Sequence, residues 1–208
     1  DDWAAVAETA IALGPTLVMS HLACADEPDH PMNPYQLDLF RQMTDGLGVP
    51  RSLAATGGIL LGAEYHFDVV RPGIGLHGAA PFGAGRQAAT LSLPVVQIRD
   101  LTAGEVVGYG NSWQAQRPTR IATLAGGYAD GLFRALQGRL VFWHGDKPCA
   151  AVGRVSMDLI TVDITDLGED PEDLDLICAR QRVDDLAAAA DTIGYEVLTA
   201  LGQRYSRR

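Results

Sequence analysis

Two side chains that could do chemistry each follow a short apolar run. His21 comes just after residues 16–19 (TLVM), and Arg71 directly follows residues 67–70 (FDVV). Short apolar runs are typical of strands buried on both faces of a parallel sheet. In barrel and doubly wound enzymes the active site lies at the carboxyl ends of such strands. His21 and the permanently charged Arg71 are therefore candidates for a site, although a surface position is the ordinary interpretation of an arginine.

Glycines follow Arg71 at a spacing that is used to bind phosphates. Residues 73–78 (GIGLHG) match G-x-G-x-x-G after a predicted strand, as in the dinucleotide-binding fingerprint. Residues 79–83 (AAPFG) are a poor start for the helix that this fingerprint requires, so a dinucleotide site is disfavoured. A glycine-rich turn after a parallel strand can still offer backbone N–H groups to a phosphate, and barrel enzymes often bind phosphate after their last strands.

Three further segments carry candidate groups whose ordinary interpretation is structural. Tyr109 lies between two glycines in residues 106–110 (VVGYG), which exposes its ring on a tight turn. Tyr128 in residues 126–131 (GGYADG) is similar, and residues 153–158 (GRVSMD) fit a plain strand. The residues alone favour turn or packing roles for all three segments.

The sequence does not favour a metal site or the common hydrolase sites. His21, Cys24, Asp26 and His30 do not match a standard zinc spacing, and Cys24 fits a small core residue. A nucleophile elbow, a P-loop and an HExxH motif are also absent from the sequence. We therefore expect no bound metal.

The composition limits the partners and the compartment. The 208 residues carry a net charge of −10, which disfavours nucleic acids and anionic membrane surfaces, because both require clustered cations. The most apolar stretch, residues 9–25, is broken by Gly14 and Pro15, so no transmembrane helix is expected. The 3 cysteines lack a C-x-x-C spacing and are interpreted as reduced thiols of a cytoplasmic protein.

The candidates in the first part of the chain require a parallel sheet to position them. Residues 1–85 alternate helical and strand patterns, with strands predicted at 16–19, 52–55 and 67–70 and helices at 4–13, 34–47 and 57–64. This alternation indicates parallel βα units. Three such units cannot close a barrel, which needs eight. Either the sheet is small and open, or another segment completes it.

The second part of the chain indicates a different architecture. Strand-like runs separated by turns predict a mostly antiparallel domain, with strands at 91–98, 120–124, 140–144, 150–155 and 159–164. Residues 183–203 have a helical pattern. The acidic stretch of residues 169–175 is interpreted as a solvated loop.

Seven segments, in chain order, resemble motifs of the fold-type III alanine racemases. They are residues 20–23 (SHLA), 52–56 (SLAAT), 70–78 (VRPGIGLHG), 107–110 (VGYG), 121–131 (IATLAGGYADG), 153–158 (GRVSMD) and 193–199 (IGYEVLT). Each match is weak alone, but seven in the right order cover almost the whole chain and make the resemblance specific.

The resemblance implies a fold, a cofactor and a set of site residues. Residues 1–85 would be the C-terminal half of a TIM-type (β/α)8 barrel that binds pyridoxal phosphate, and residues 86–208 an antiparallel β-domain with terminal helices. The implied cofactor-binding residues are His21, Thr56, Arg71, Gly73, Ile74 and Tyr195. Arg71 would donate to the pyridine nitrogen and keep it unprotonated, because arginine itself stays protonated.

The resemblance also implies the reaction. Tyr109 would be one of two catalytic bases, and its weakly acidic phenol must be activated by its surroundings. Tyr128, Met157 and Asp158 would line the path of the substrate. The complete enzyme would interconvert L- and D-alanine and supply D-alanine for peptidoglycan. The β-domain would complete the site of the partner in a head-to-tail homodimer.

The sequence departs from the family pattern at several positions. Ala55 and Thr56 replace the family's Asn-Ser, and His77 replaces a common tyrosine. The family's second base is a lysine in V-x-K-A-x-A-Y-G-H-G that also holds the cofactor covalently, and no such segment occurs here. Lys147, the only lysine among the 16 basic residues, lies in a segment interpreted as a β-domain turn.

Three hypotheses follow from these departures. In the first, this chain, which begins with Asp1, is the C-terminal portion of an alanine racemase and is inactive alone. In the second, it is a non-catalytic dimerisation or binding module derived from a racemase. In the third, it belongs to a racemase of serine or another amino acid.

Overall fold

The structure, a computed structural model, describes residues 2–207. It comprises two compact units, the first ending at Arg86 and the second beginning at Gln87. Among the described residues, none of the helices is both long and apolar enough to span a membrane.

The first unit contains three α-helices and a two-stranded parallel sheet. The elements are α1 (Asp2–Ala12), β1 (Val18–Met19), α2 (Met32–Thr44), β2 (Arg51–Ser52) and α3 (Thr56–Leu61), followed by 3-10 helices at Ala63–Tyr65 and Gly73–His77. Val18 pairs with Arg51 and Met19 with Ser52, so β1 and β2 end side by side. Parallel pairing brings the residues that follow each strand to one edge of the sheet.

Helix α2 covers this sheet with its apolar face. Leu37 and Phe40, three residues apart on the same face, are buried together with Leu53. The ring of Phe67 meets Phe40 edge-on, with centroids 5.0 Å apart. These contacts fix the loops after the strands, because both loops leave from the same buried core.

The third predicted strand, residues 67–70, is wrong. Phe67 has a positive φ of 51°, which turns its ring onto Phe40 and interrupts extended backbone. The N–H groups of Asp68 and Val69 both donate to the Arg51 carbonyl, and the segment joins the sheet only at an isolated parallel bridge between Ala55 and Arg71. The predicted helix at 57–64 divides at Gly62, whose φ of 147° ends α3.

The second unit is built on a closed six-stranded antiparallel barrel. Its strands are β3 (Leu91–Leu101), β6 (Thr119–Ala125), β7 (Val141–His144), β8 (Lys147–Val152), β9 (Leu159–Asp163) and β10 (Asp173–Ile177), in the order β10-β3-β6-β9-β8-β7. Alternate residues fill the interior, among them Leu93, Leu124, Phe142, Val162 and Leu174, all nearly inaccessible to solvent. Closure leaves the barrel without a free strand edge.

Two details of this unit differ from the prediction. The predicted loop at 169–175 is wrong from Asp173 onwards, because Leu174 and Leu176 alternate with Asp173 and Asp175 and place β10 in the barrel. Lys147 is not in the turn but begins β8, where it pairs with His144.

The predicted helix at 183–203 is two helices, α4 (Val183–Ala189) and α5 (Gly194–Ala200). Asp191, with a φ of 58°, lies in the break between them. A left-handed residue cannot continue a right-handed helix, so α5 starts in a new direction.

A small hairpin arm projects between β3 and β6. It consists of β4 (Val106–Val107) paired antiparallel with β5 (Trp113–Gln114). Val107 and Trp113 pack against a buried cluster formed by Leu101, Ala115, Ile121 and Val152. The tip of the arm, which carries Tyr109, is therefore held against the barrel.

Candidate active site

Arg71 is the hub of the candidate site in the first unit. Its Nη1 donates to Ser52 Oγ at 2.5 Å, and its Nη2 donates to the carbonyls of Ser20 at 2.8 Å and Leu53 at 3.3 Å. The same Nη2 lies 3.1 Å from His21 Nδ1. Arg71 thereby joins the ends of β1 and β2, and its Nε–H has no acceptor among residues 2–207.

The position of His21 is fixed by two neighbours. Because the Arg71 guanidinium can only donate, His21 Nδ1 is the acceptor of their contact and the ring proton is assigned to Nε2. Gln36 of α2 clamps the backbone on both sides of this loop: its Nε2 donates to the His21 carbonyl at 3.3 Å, and its Oε1 accepts from the Ala23 N–H at 2.8 Å. The exposed His21 ring is thus held with Nε2–H free to donate.

Thr56 ties two glycine-containing helix starts together. Its buried hydroxyl donates to the Pro72 carbonyl and accepts from the Gly75 N–H at 3.1 Å. Gly75 also leaves no room for a larger residue, because an added Cβ would lie 2.9 Å from Thr56 Cγ2. The start of α3 is therefore bonded to the 3-10 helix Gly73–His77.

Backbone N–H groups without an acceptor lie in the two segments that Thr56 joins. The N–H groups of Gly57, Gly73 and Ile74 have no acceptor among the described residues. Gly73 adopts a φ of 38° and has nothing within 4 Å of the place that a Cβ would occupy. Clustered backbone donors of this kind suit a phosphate.

The residues of the first unit fit pyridoxal phosphate on these observations. The unpaired N–H groups around Thr56 match its phosphate, and the unused Nε–H of Arg71 matches the acceptor nitrogen of its ring. His21, bonded to the same guanidinium, matches a neighbour of the ring. Five of the six predicted cofactor residues thus lie in one unit.

Tyr109 lies at the tip of the hairpin arm of the second unit. The side chain is 71% exposed, which confirms the predicted exposure on a tight turn. Its neighbours need to be glycine: Gly108 has a φ of 81° and Gly110 a φ of 70°. A Cβ on Gly108 would lie 3.1 Å from the Arg154 backbone nitrogen, and one on Gly110 would lie 3.4 Å from its guanidinium carbon.

A cavity of about 420 Å³ brings most of the second unit's candidates together. It is lined by Gln97, Gly108, Tyr109, Thr123, Arg154, Ser156, Met157, Asp158, Leu159 and Thr161. Tyr109, Met157 and Asp158 share this wall. Arg154 also lines the cavity and was not predicted as a site residue, although it belongs to the GRVSMD segment of residues 153–158.

Two predicted site residues, Tyr128 and Tyr195, and the lysine Lys147 lie outside the cavity lining. Tyr128 is adjacent to it, because its N–H donates to the Ser156 carbonyl at 3.0 Å. Tyr195 is half-exposed in the first turn of α5. Lys147 is exposed, and its Nζ donates to the Asp166 carbonyl at 3.4 Å.

Comparisons with known sequences identify both parts of the chain. The family model described as the alanine racemase N-terminal domain matches residues 1–81, and the alanine racemase C-terminal domain matches residues 88–208. An alanine racemase of Dinoroseobacter shibae is 63% identical over 207 residues, which is 100% of this chain and 59% of that protein. One from Cereibacter sphaeroides is 62% identical with the same coverage. The chain therefore spans about 59% of the length of these relatives.

Solved structures give the same result. Alanine racemase of Bartonella henselae, described with covalently bound pyridoxal phosphate, superposes with a TM-score of 0.89 at 34% identity, covering 99% of this chain and 60% of that one. Alanine racemase of Streptomyces coelicolor superposes with a TM-score of 0.90 at 31% identity and the same coverage. The sequence matches and the superpositions each cover nearly the whole chain. This chain belongs to the alanine racemase family.

Proposed function

We propose that the protein containing this chain is a pyridoxal-phosphate-dependent alanine racemase that supplies D-alanine for peptidoglycan. The observation that carries the proposal is Tyr109, an exposed phenol held by two obligatory glycines at a cavity that it shares with Met157 and Asp158. Membership of the alanine racemase family supports this reaction.

The first unit is proposed to bind the cofactor. Backbone N–H groups of Gly73 and Ile74, with Thr56, would hold the phosphate, and Tyr195 would contribute its hydroxyl. Arg71 would donate to the ring nitrogen and, being permanently protonated, would leave that nitrogen unprotonated. When bound, pyridoxal phosphate supplies an electron sink that makes the α-proton of an amino acid acidic.

Tyr109 is proposed to move the proton on one face of the α-carbon. Its phenolic oxygen would take the proton from one enantiomer and return a proton to that face when the reaction runs backwards. Tyr128, Met157 and Asp158 would shape the path by which the amino acid reaches Tyr109.

The barrel and domain boundaries are proposals as well. Residues 1–85 would be the C-terminal half of a TIM-type (β/α)8 barrel, and residues 86–208 the β-domain. Exposed apolar side chains support this, because Met19 of β1 and Val69 and Val70, which precede the Arg71 bridge, are 61%, 42% and 38% accessible and suit coverage by further βα units. A family lysine outside this sequence would serve the opposite face of the α-carbon.

A head-to-tail homodimer in the cytoplasm completes the proposal. The cofactor candidates Arg71 and Thr56 lie in the first unit, whereas Tyr109 lies in the second. In the family arrangement, the second unit of one subunit supplies its tyrosine to the partner's cofactor site. The net charge and the reduced thiols suit a cytoplasmic protein.

The test is alanine racemisation by the whole protein and by the 208 residues alone. We expect the whole protein with added cofactor to form D-alanine from L-alanine, and Lys147→Arg to leave that rate unchanged, because Lys147 is an exposed β8 residue bonded to Asp166. The isolated chain should show no turnover. D-alanine formation by the isolated chain would contradict the role given to an external lysine.

The same assay separates the other hypotheses. Turnover of serine with none of alanine would favour a racemase of another amino acid. Failure of the whole protein to act on any amino acid, with dimers still present by mass, would favour the non-catalytic module.

A further inference from the structure

A buried carboxylate is linked through one arginine to the wall of the Tyr109 cavity. Asp130 is only 3% exposed, and its Oδ2 accepts from the Gly127 N–H at 2.9 Å. Its Oδ1 lies 3.1 Å from Nε of Arg204. A carboxylate this buried requires a cation or several donors to remain in place, so Arg204 is held at Asp130 by a large desolvation penalty for separating them.

Arg204 reaches the cavity wall with its other end. Its Nη1 donates to Asp158 Oδ1 at 2.6 Å, a charge-assisted contact of short length. Asp158 lines the cavity together with Tyr109 and Arg154. One guanidinium therefore connects a fixed buried carboxylate with a half-exposed carboxylate at the cavity.

The segment around Arg204 is seated closely on the turn that contains Asp130. The Gly202 N–H donates to the Asp130 carbonyl at 3.3 Å, and a Cβ on Gly131 would lie only 2.1 Å from the Ala200 carbonyl oxygen. The hydroxyl of Tyr205 is buried and has no partner among residues 2–207. Arg204 is thus flanked by a backbone contact at Gly202 and by the buried ring hydroxyl of Tyr205, in addition to its own pairing with Asp130.

Arg154 shares the cavity with Asp158 and forms no ion pair with any residue that the structure describes. An unrestrained Asp158 carboxylate in the same cavity would be attracted to that guanidinium. In the structure the Asp158 carboxylate pairs with Arg204 instead. The cavity therefore keeps an unneutralised cation beside Tyr109.

We propose that Arg204 is a positioning residue of this site: anchored on Asp130, it holds the Asp158 carboxylate away from Arg154, so that Arg154 can attract the carboxylate of the amino-acid substrate. This inference rests on the proposed function and extends it. Arg204 itself does not touch the substrate, and its effect passes through Asp158.

The proposal predicts an effect on substrate affinity. In Arg204→Gln, the released Asp158 neutralises Arg154, and we expect the KM for alanine to rise about fivefold, which corresponds to about 1 kcal/mol, with kcat within about twofold. Arg180→Gln, which breaks an exposed ion pair with Asp146 on the same unit, is the matched control and should leave KM unchanged.

A double-mutant cycle separates this role from a loss of stability. If Arg204 acts through Asp158, Arg204→Gln should raise KM in the wild-type background but have no further effect on KM in an Asp158→Asn background. An unchanged KM in Arg204→Gln, even with a lowered melting temperature, would overturn the proposal. An equal rise of KM in both backgrounds would also overturn it.

Binding of propionate, measured by calorimetry on the same whole proteins, keeps the inference distinct from the proposed function. Propionate has the carboxylate of alanine without its amino group, so its affinity should fall by the same factor in Arg204→Gln. If Arg204→Gln weakens propionate binding but the wild-type protein does not racemise alanine, the positioning role is supported and the proposed function is contradicted. If the wild-type protein racemises alanine but Arg204→Gln leaves propionate affinity unchanged, the proposed function is supported and the positioning role is contradicted.

Discussion

Nη2 of Arg71 lies 3.1 Å from Nδ1 of His21, and this contact sets the orientation of the histidine ring. Arginine can only donate, so the histidine nitrogen is the acceptor of this contact. The pair also links the residues that follow β1 to the segment at 71, fifty positions later in the sequence. The candidate cofactor site is organised by this link.

Replacing Arg71 by lysine should weaken cofactor binding. One ammonium cannot reach Ser52, Ser20 and Leu53 while also donating to a ring nitrogen, so at least one buried acceptor loses its donor. We expect the affinity of the whole protein for pyridoxal phosphate to fall by roughly tenfold, the size of about 1.4 kcal/mol. Equilibrium dialysis measures this, with Arg41→Lys at an exposed ion pair as the control. Equal affinities in wild type and Arg71→Lys would contradict the assignment.

Gly108→Ala should impair catalysis more than stability explains. The φ of 81° makes alanine strained, and the new Cβ would press on the Arg154 backbone nitrogen at 3.1 Å. Gly104→Ala carries similar strain at a φ of 95°, but its Cβ would meet only Gln114 Nε2 at 3.9 Å. Both variants should lose about 1–2 kcal/mol of unfolding free energy. Only Gly108→Ala should lose roughly tenfold to a hundredfold in kcat/KM, because Tyr109 is displaced. Equal kcat/KM values in the two variants would argue against a precisely held Tyr109.

Tyr205→Phe should make the unfolding free energy fall less steeply as the pH rises into the alkaline range. Burial, and then the charge of Asp130, raise the pKa of Tyr205 above its ordinary value. A raised pKa in the folded state contributes stability that is fully present below about pH 10, the unfolded value, and is lost as the pH rises above it. Urea unfolding between about pH 9 and pH 11 should therefore show a shallower decline for Tyr205→Phe than for wild type. Tyr35→Phe, at a 61% exposed position, is the control. Parallel declines for all three proteins would contradict the buried state of Tyr205.

Local patterns in the sequence predicted much of the fold. Alternating apolar residues located five of the six barrel strands within a few positions, and flanking glycines predicted the exposed Tyr109. The strand predicted at 67–70 failed because Phe67 turns onto Phe40 with a positive φ, a contact that depends on α2 rather than on neighbours in sequence. Strand β10 was not predicted because its outward-facing residues are acidic, which made the segment look like a solvated loop.

The sequence motifs predicted which residues belong to the candidate site, but not which distant side chains contact each other there. His21, Thr56 and Arg71 could be placed because each stands in a segment of recognisable spacing. The contact of Arg204 with Asp158 spans 46 positions and has no local pattern to reveal it. A long arginine reaches partners that only the folded chain brings near, and sequence spacing does not record them.

Tyr109→Phe in the whole protein tests the central claim most directly. The variant removes one oxygen from a side chain that is 71% exposed, so folding and the cofactor absorbance should persist. Tyr35→Phe is the matched control. We predict that Tyr109→Phe lowers racemisation of alanine by roughly a hundredfold to ten-thousandfold, the size of a lost proton-transfer group, whereas Tyr35→Phe retains the wild-type rate. Racemisation by Tyr109→Phe within a few-fold of the wild-type rate would show that Tyr109 does not move the proton and would contradict the account.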